Sequence, residues 1–233
     1  MKKMNSIKPL GNIALVAGAV LLGACSTIAP EGSAPQYTSQ YDHTSTTVNE
    51  FDIRSVTSAP EQIVLMFRVN SSPDRTFELV SEIDQLATWF TGIKNPEMDN
   101  SKSLNGPLAM GTHSVRSCSL DDEILYEDIV YYDKNKRSYA YTIDMERSTV
   151  SFPITEPLSL FTVEPDGLGG SLVTWRHYFH KNVSLVAPVL NLIMEGMILE
   201  PAVENLFEQV GGEWVEPTTC LLYTSPSPRD GTK

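Results

Sequence analysis

Apolar and polar positions alternate with a period of two along most of the chain beyond residue 60, and switch to a helical period at three places. Residues 62–69 put Ile63, Leu65, Phe67 and Val69 on one face, the pattern of a strand with one side buried. Ser72-Pro73-Asp74 follows, an N-cap residue with Pro at the first helical position, and Phe77 and Val80 then recur three apart. A second short helix is predicted over 84–90, and a loop over 95–110. Five strand-like segments succeed one another at 112–120, 124–132, 138–144, 158–164 and 172–180. Turn chemistry separates them, as in Asp133-Lys-Asn-Lys136 and Asp166-Gly-Leu-Gly-Gly170. The last glycines lie between two strands, so they read as a hairpin turn and not as a phosphate-cradling loop. The chain then runs into a long apolar helical stretch, 184–210, which Pro201 should kink or divide.

A strand, two short helices, an antiparallel meander and a final long helix form an α+β order, in which the sheet buries one face against the last helix. A curved sheet wrapped on a helix encloses a cavity more easily than it packs solid.

The two ends read differently. Lys2, Lys3 and Lys8 precede a short uncharged stretch from 9 to 24 rich in Leu, Ala, Val and Gly, the n- and h-regions of an export signal. The run is shorter than a bilayer-spanning helix requires. It closes on Leu22-Gly23-Ala24-Cys25, which resembles the lipobox of bacterial lipoproteins. The expectation is a signal peptide over 1–24, with Cys25 acylated as the mature N-terminus. Ser26 then favours the outer membrane, facing the periplasm. Residues 25–59 are rich in Ser, Thr, Pro, Gln and Tyr and read as a flexible tether, leaving 60–219 as one domain. From Cys220 to Asp230 the sequence matches, residue for residue, one reading frame of a transposase-type sequencing adapter, so 220–233 reads as an artefact of library preparation.

The whole chain carries a formal charge of −12. Setting aside three Lys in the signal, and Arg229, Asp230 and Lys233 near the end, leaves 12 basic against 28 acidic side chains, a balance near −16. Such a charge repels phosphates and anionic headgroups, which excludes nucleic acid and leaves the lipid anchor as the only membrane contact. Of three Cys, Cys118 alone lies in the domain, and a buried, unreactive thiol is expected.

Several segments carry a family resemblance: Val69-Asn-Ser-Ser-Pro-Asp-Arg-Thr-Phe77, Ile83-Asp84 to Trp89-Phe90 and Ile93, Gly111 to Leu120, Glu127, Tyr132-Asp133, Tyr139-Ala-Tyr141 and Val173-Thr-Trp175. Together they resemble the START-like (SRPBCC) superfamily, whose bacterial members are labelled polyketide cyclase/dehydrase and lipid transport. The resemblance spans nearly all of 60–217 and implies a helix-grip fold around an apolar cavity. It places Lys94, Glu127 and Tyr141 where the hormone receptors of the superfamily carry cavity residues. The receptors' gating-loop sequence is not evident between Leu120 and Leu125, so a hormone-type switch is not implied.

For each polar candidate a packing role competes with a chemical one. Arg116 and Glu127 could satisfy each other as a buried pair, because an unpaired charge there is costly. Alternation leaves the side taken by Arg116 open. Trp175, His177 and Phe179 share one face of their strand, read as inward, and with Tyr141 they serve as core or as pocket wall. His177 and His180, three apart on a strand, face opposite ways and do not suit a metal. No G-x-S-x-G, H-E-x-x-H or C-x-x-C pattern is present, and neither a metal nor a cofactor is expected. Met194 and Met197 offer an adaptable apolar wall.

The leading expectation is an outer-membrane-tethered module that binds a small hydrophobic ligand, a lipid or an aromatic metabolite. One alternative is a cyclase or dehydratase acting on a polyketide-like chain in the same cavity, with Glu127, Tyr141 or His177 moving protons. Another is a structural or partner-binding lipoprotein whose cavity is filled by its own side chains, its protein partner unknown.

Overall fold

The computed structural model describes residues 45–120, 122–182 and 187–215. The export signal, Cys25, the first part of the expected tether and the adapter-like end lie outside the described residues.

Eight strands form one antiparallel sheet. After a small hairpin of β1 (Thr47–Val48) and β2 (Phe51–Asp52) come β3 (Glu61–Val69), α1 (Pro73–Ser81), α2 (Ile83–Trp89) and β4 (Lys94–Asp99). The meander follows: β5 (Val115–Leu120), β6 (Glu123–Asp133), β7 (Ser138–Ile143), β8 (Ile154–Pro165) and β9 (Ser171–Lys181). The chain ends in α3 (Ala187–Met194), a π-helical turn (Glu195–Leu199), α4 (Glu200–Val210) and β10 (Gly212–Trp214). Across the sheet the order is β10-β3-β9-β8-β7-β6-β5-β4. The sheet is curved, and the fold is the helix-grip α+β arrangement expected from the element order. Register shifts in β3, β4, β6 and β8 mark bulges, each of which bends its strand. Among the described residues no helix is long and apolar enough to cross a membrane.

Local chemistry explains the joints. Ser72 caps α1 with Pro73 in its first turn, and Glu82 in an extended conformation separates α1 from α2. In the β8–β9 hairpin Asp166 accepts from the backbone N–H groups of Leu168 and Gly170 at 2.7 and 2.9 Å, while Gly167 and Gly169 take positive φ. Pro201 falls in the first turn of α4. It has no N–H to give, and the wide turn immediately before it absorbs the broken ladder.

The concave face holds the main core, in which Phe67, Phe77, Trp89, Tyr139, Phe161 and Trp175 meet Leu199, Val203 and Leu206 of the C-terminal helix. Trp89 donates its indole N–H to Leu79 O at 2.8 Å, and Asn205 and Gln209 donate to Trp89 O and Thr88 O, so α2 is locked to α1 and α4.

Two expectations need correction. Residues 45–59 do not behave as tether: Phe51, Ile53 and Ala59 are buried on the convex face with Ala140, Leu160 and Tyr178, and Phe51 stacks on Tyr131 at 4.8 Å. A few apolar residues in a polar segment suffice, because the sheet offers them a second apolar surface. Thr57 and Ser58 fix the segment further by donating to Glu156. The loop expected over 95–110 begins with a strand, β4, which is largely exposed at the sheet edge and tolerates Pro96 there. The opposite edge is closed by β10, paired to β3 and reached through Gly211.

Candidate ligand-binding site

Between the concave face and the C-terminal helix lies a cavity of about 390 Å³. That lies within the range of about 300–1,000 Å³ typical of small-molecule sites. Its walls are mostly apolar: Phe90 and Ile93 after α2, Leu125 of β6, Phe152, Ile154 of β8, and Met194, Met197 and Ile198 near the π-helical turn. The lining residues that stay exposed, Thr91, Gly92, Met197, Ile198 and Pro201, mark the mouth between the loop after α2 and the start of α4.

Register builds the floor. Ile63, His177, Ser159 and Tyr141 are successive cross-strand partners through β3, β9, β8 and β7. In the next row Trp175, Phe161 and Tyr139 stack face to face, with ring centroids 4.5 and 5.2 Å apart. Arg116 of β5 is paired in register with Glu127 of β6. Because cross-strand neighbours on one face lie within contact distance, a polar band crosses the sheet inside an aromatic wall.

Within that band Arg116 Nε donates to Glu127 Oε2 at 2.5 Å, both side chains are buried, and the guanidinium lies 4.8 Å from the Tyr141 ring centroid. Burial alone would lower the Arg116 pKa; the Glu127 carboxylate together with Tyr139 and Tyr141 more than reverses this and leaves it raised. Burial pushes the Tyr141 hydroxyl up to about 12, with Glu127 adding to the effect, so it remains protonated. His177 Nδ1 is 2.9 Å from Ser159 Oγ, and burial lowers the imidazole pKa to about 3. At neutral pH the ring is uncharged.

The structure thus gathers Arg116, Glu127, Tyr141, Trp175, His177 and Phe179 around one cavity. It does not bring Lys94 there: Lys94 opens the edge strand β4 as an exposed residue, and Ile93 takes the inward position beside it. An ammonium in the cavity would lose its hydration, which the exposed edge preserves. His177 and His180 point to opposite sides, His180 reaching Ser58 and Glu156 on the outside. Among the described residues no group of three or more His, Cys, Asp or Glu could hold a metal ion. Cys118 is buried, and burial raises its thiol pKa to about 12, which keeps it protonated. Sequence reasoning missed Ser159, Tyr139 and Phe161, whose place depends on the pairing of β7, β8 and β9.

An eight-stranded curved sheet gripping a helix, with a cavity between them, defines the class: a START-like helix-grip domain. The model of the family described as polyketide cyclase / dehydrase and lipid transport matches residues 61–210, and the chain belongs to that family. No curated protein matches the chain. Among solved structures, a START superfamily protein from Mycobacterium smegmatis is 12% identical with a TM-score of 0.52, covering 64% of this chain and 97% of that one. A protein from Thermobifida fusca is 19% identical with a TM-score of 0.50, covering 63% and 91%. Ginseng major latex-like protein 151, from Panax ginseng, is 15% identical with a TM-score of 0.48, covering 64% and 95%.

Proposed function

We propose that the chain is a binding module that holds one small hydrophobic molecule between the curved sheet and the C-terminal helix. The observation that carries this reading is the cavity, which the side chains around it do not fill, with an exposed apolar mouth and a polar band confined to its floor. Burying on the order of 300 Å² of apolar ligand surface contributes roughly 7 kcal/mol before association costs, which suits micromolar binding. The family's description, which includes lipid transport, supports the same reading. We further propose that Cys25 is lipidated, so that the module hangs from the outer membrane into the periplasm. The support for that is the lipobox-like Leu22-Gly23-Ala24-Cys25, and mass spectrometry of the N-terminal peptide from bacterial membranes tests it through the mass of the acyl groups.

Cyclase or dehydratase chemistry is the second reading, favoured by the Ser159–His177 contact inside the cavity. It demands a base, and an imidazole whose pKa burial has brought to about 3 takes a proton poorly at neutral pH. Glu127 is engaged by Arg116.

Nile red, an uncharged apolar dye, tests the binding reading. It should gain fluorescence on titration into the protein, and Ile93→Trp, which narrows the mouth at a half-buried position, should weaken uptake at least ten-fold with unchanged circular dichroism. Equal uptake by both proteins would place the dye elsewhere and count against the cavity.

A further inference from the structure

Residues 57–62 tie together one end of the cavity. Thr57 Oγ1 donates to the backbone oxygen of Glu156 at 2.9 Å, and the Glu156 carboxylate accepts from the N–H and the hydroxyl of Ser58 at 3.0 and 2.7 Å. Pro60 O accepts from the Phe179 N–H at 3.3 Å, and the Gln62 side chain donates to Phe179 O at 3.2 Å. Gln62 O in turn accepts from the Asn191 side chain of α3 at 2.9 Å. Phe179 lines the cavity, and so does Met194 at the end of α3.

Glu156 sits where β8 is irregular. Thr155 pairs with His180 and Leu158 with Tyr178, so β8 carries one residue more than β9 across this interval, a bulge. Ile154 and Ser159 both line the cavity, yet their odd separation would send them to opposite faces of a regular strand. The extra residue restores the parity and turns Ile154 inward. Glu156 itself takes φ 52°, a left-handed conformation that is uncommon for a residue with a side chain and persists only where the surroundings hold it. Thr57 and Ser58 supply that hold, one on the carbonyl and one on the carboxylate, from the segment that covers the convex face.

We propose that Glu156 is a positioning residue for the ligand site: residues 57–60, docked on it, hold the β8 bulge that turns Ile154 into the cavity, so that docking of this segment and filling of the cavity favour one another. This rests on the ligand-binding reading above and adds to it a coupling between the two faces of the sheet. Such a coupling is reciprocal, because a ligand that needs the docked form must also stabilise it.

The test uses the full chain and Nile red. Glu156→Ala removes the acceptor of both Ser58 donors and should weaken dye binding by about five-fold or more. Glu156→Gln keeps a side-chain oxygen there and should bind as the unaltered protein does. Phe51→Ala loosens the same segment further along, against Tyr131 and away from the bulge; it should lower the urea midpoint and leave dye affinity unchanged. Hydrogen exchange on the unaltered protein reads the reciprocal effect and depends on no variant folding: saturating dye should slow exchange of the Ser58 and Ala59 amides by about five-fold or more. Unchanged affinity in Glu156→Ala would overturn the proposal, as would an equal loss in Phe51→Ala or exchange that the dye does not alter. Each of these leaves the cavity as a binding site where Ile93→Trp weakens uptake. Dye uptake insensitive to Ile93→Trp would overturn the ligand-binding reading itself, and the coupling with it.

Discussion

At His177 the cost of charging a buried imidazole sets a pH dependence for the whole domain. The unfolded ring titrates near its ordinary value of 6.5, and the folded one near 3. Between those values the unfolded state holds one proton more, so stability falls as pH drops through that window, by up to about 1.4 kcal/mol per pH unit. Urea denaturation should show this loss between pH 6.5 and 4.5, before the carboxylates whose pKa values are lowered begin to contribute, and His177→Gln should flatten it. A slope unchanged by the substitution would place the dependence on other groups. The Arg116–Glu127 pair makes a second prediction at this scale. Arg116→Met strands a buried carboxylate and should cost about 3–5 kcal/mol, whereas Arg116→Met with Glu127→Leu should recover much of that; chemical denaturation of the three proteins measures both. These roles were half legible in the sequence. Alternation gave the shared face of Trp175, His177 and Phe179, but the partner of His177 is Ser159, eighteen residues away, and only strand register brings them together. Arg116 could not be assigned to a side until β5 was paired with β6.

Among the elements, the C-terminal helix shows how far composition reads geometry. Pro201 announced a break, and the break takes the form of a π-helical turn over Glu195–Leu199, whose residues supply part of the cavity mouth. A widened turn of this kind is common near functional sites. Here it presents Met197 and Ile198 to the opening while Leu199 stays in the core. The two edge strands were not legible. β4 lacks a buried face that would give it a period, and β10 is only three residues long and itself begins with Gly212, directly after Gly211. Gly211 joins α4 to β10 at φ 72° and ψ 152°, a region that side chains other than glycine avoid, and a Cβ there would lie 2.6 Å from the Asn70 amide nitrogen. Gly211→Ala should therefore cost about 1–3 kcal/mol in a denaturant titration. A neutral result would mean that β10 docks without this turn.

For the whole molecule the concave face of the sheet holds the cavity, and part of the convex face is covered as well. The convex face over β7, β8 and β9 is covered by residues 45–59, which a reading of polar composition assigns to a tether and which instead bury Phe51, Ile53 and Ala59. A chain starting at residue 60 should unfold at a lower urea concentration than one starting at 45 and should aggregate more readily, because Leu160, Tyr178 and Ala140 lose their cover. Equal midpoints would return the segment to the tether. The element order pointed to the helix-grip class because each element's own period agreed with it. The cavity was legible only as an implication of that class, since no local pattern separates a pocket wall from a packed core. The central claim is that this cavity holds a ligand, and native mass spectrometry tests it most directly, on the chain isolated from a bacterial envelope and on the same sample after denaturation. The account predicts a non-covalent adduct of a small apolar molecule that is lost on denaturation; a bare mass, with no uptake from a mixture of lipids and aromatic compounds, would contradict it.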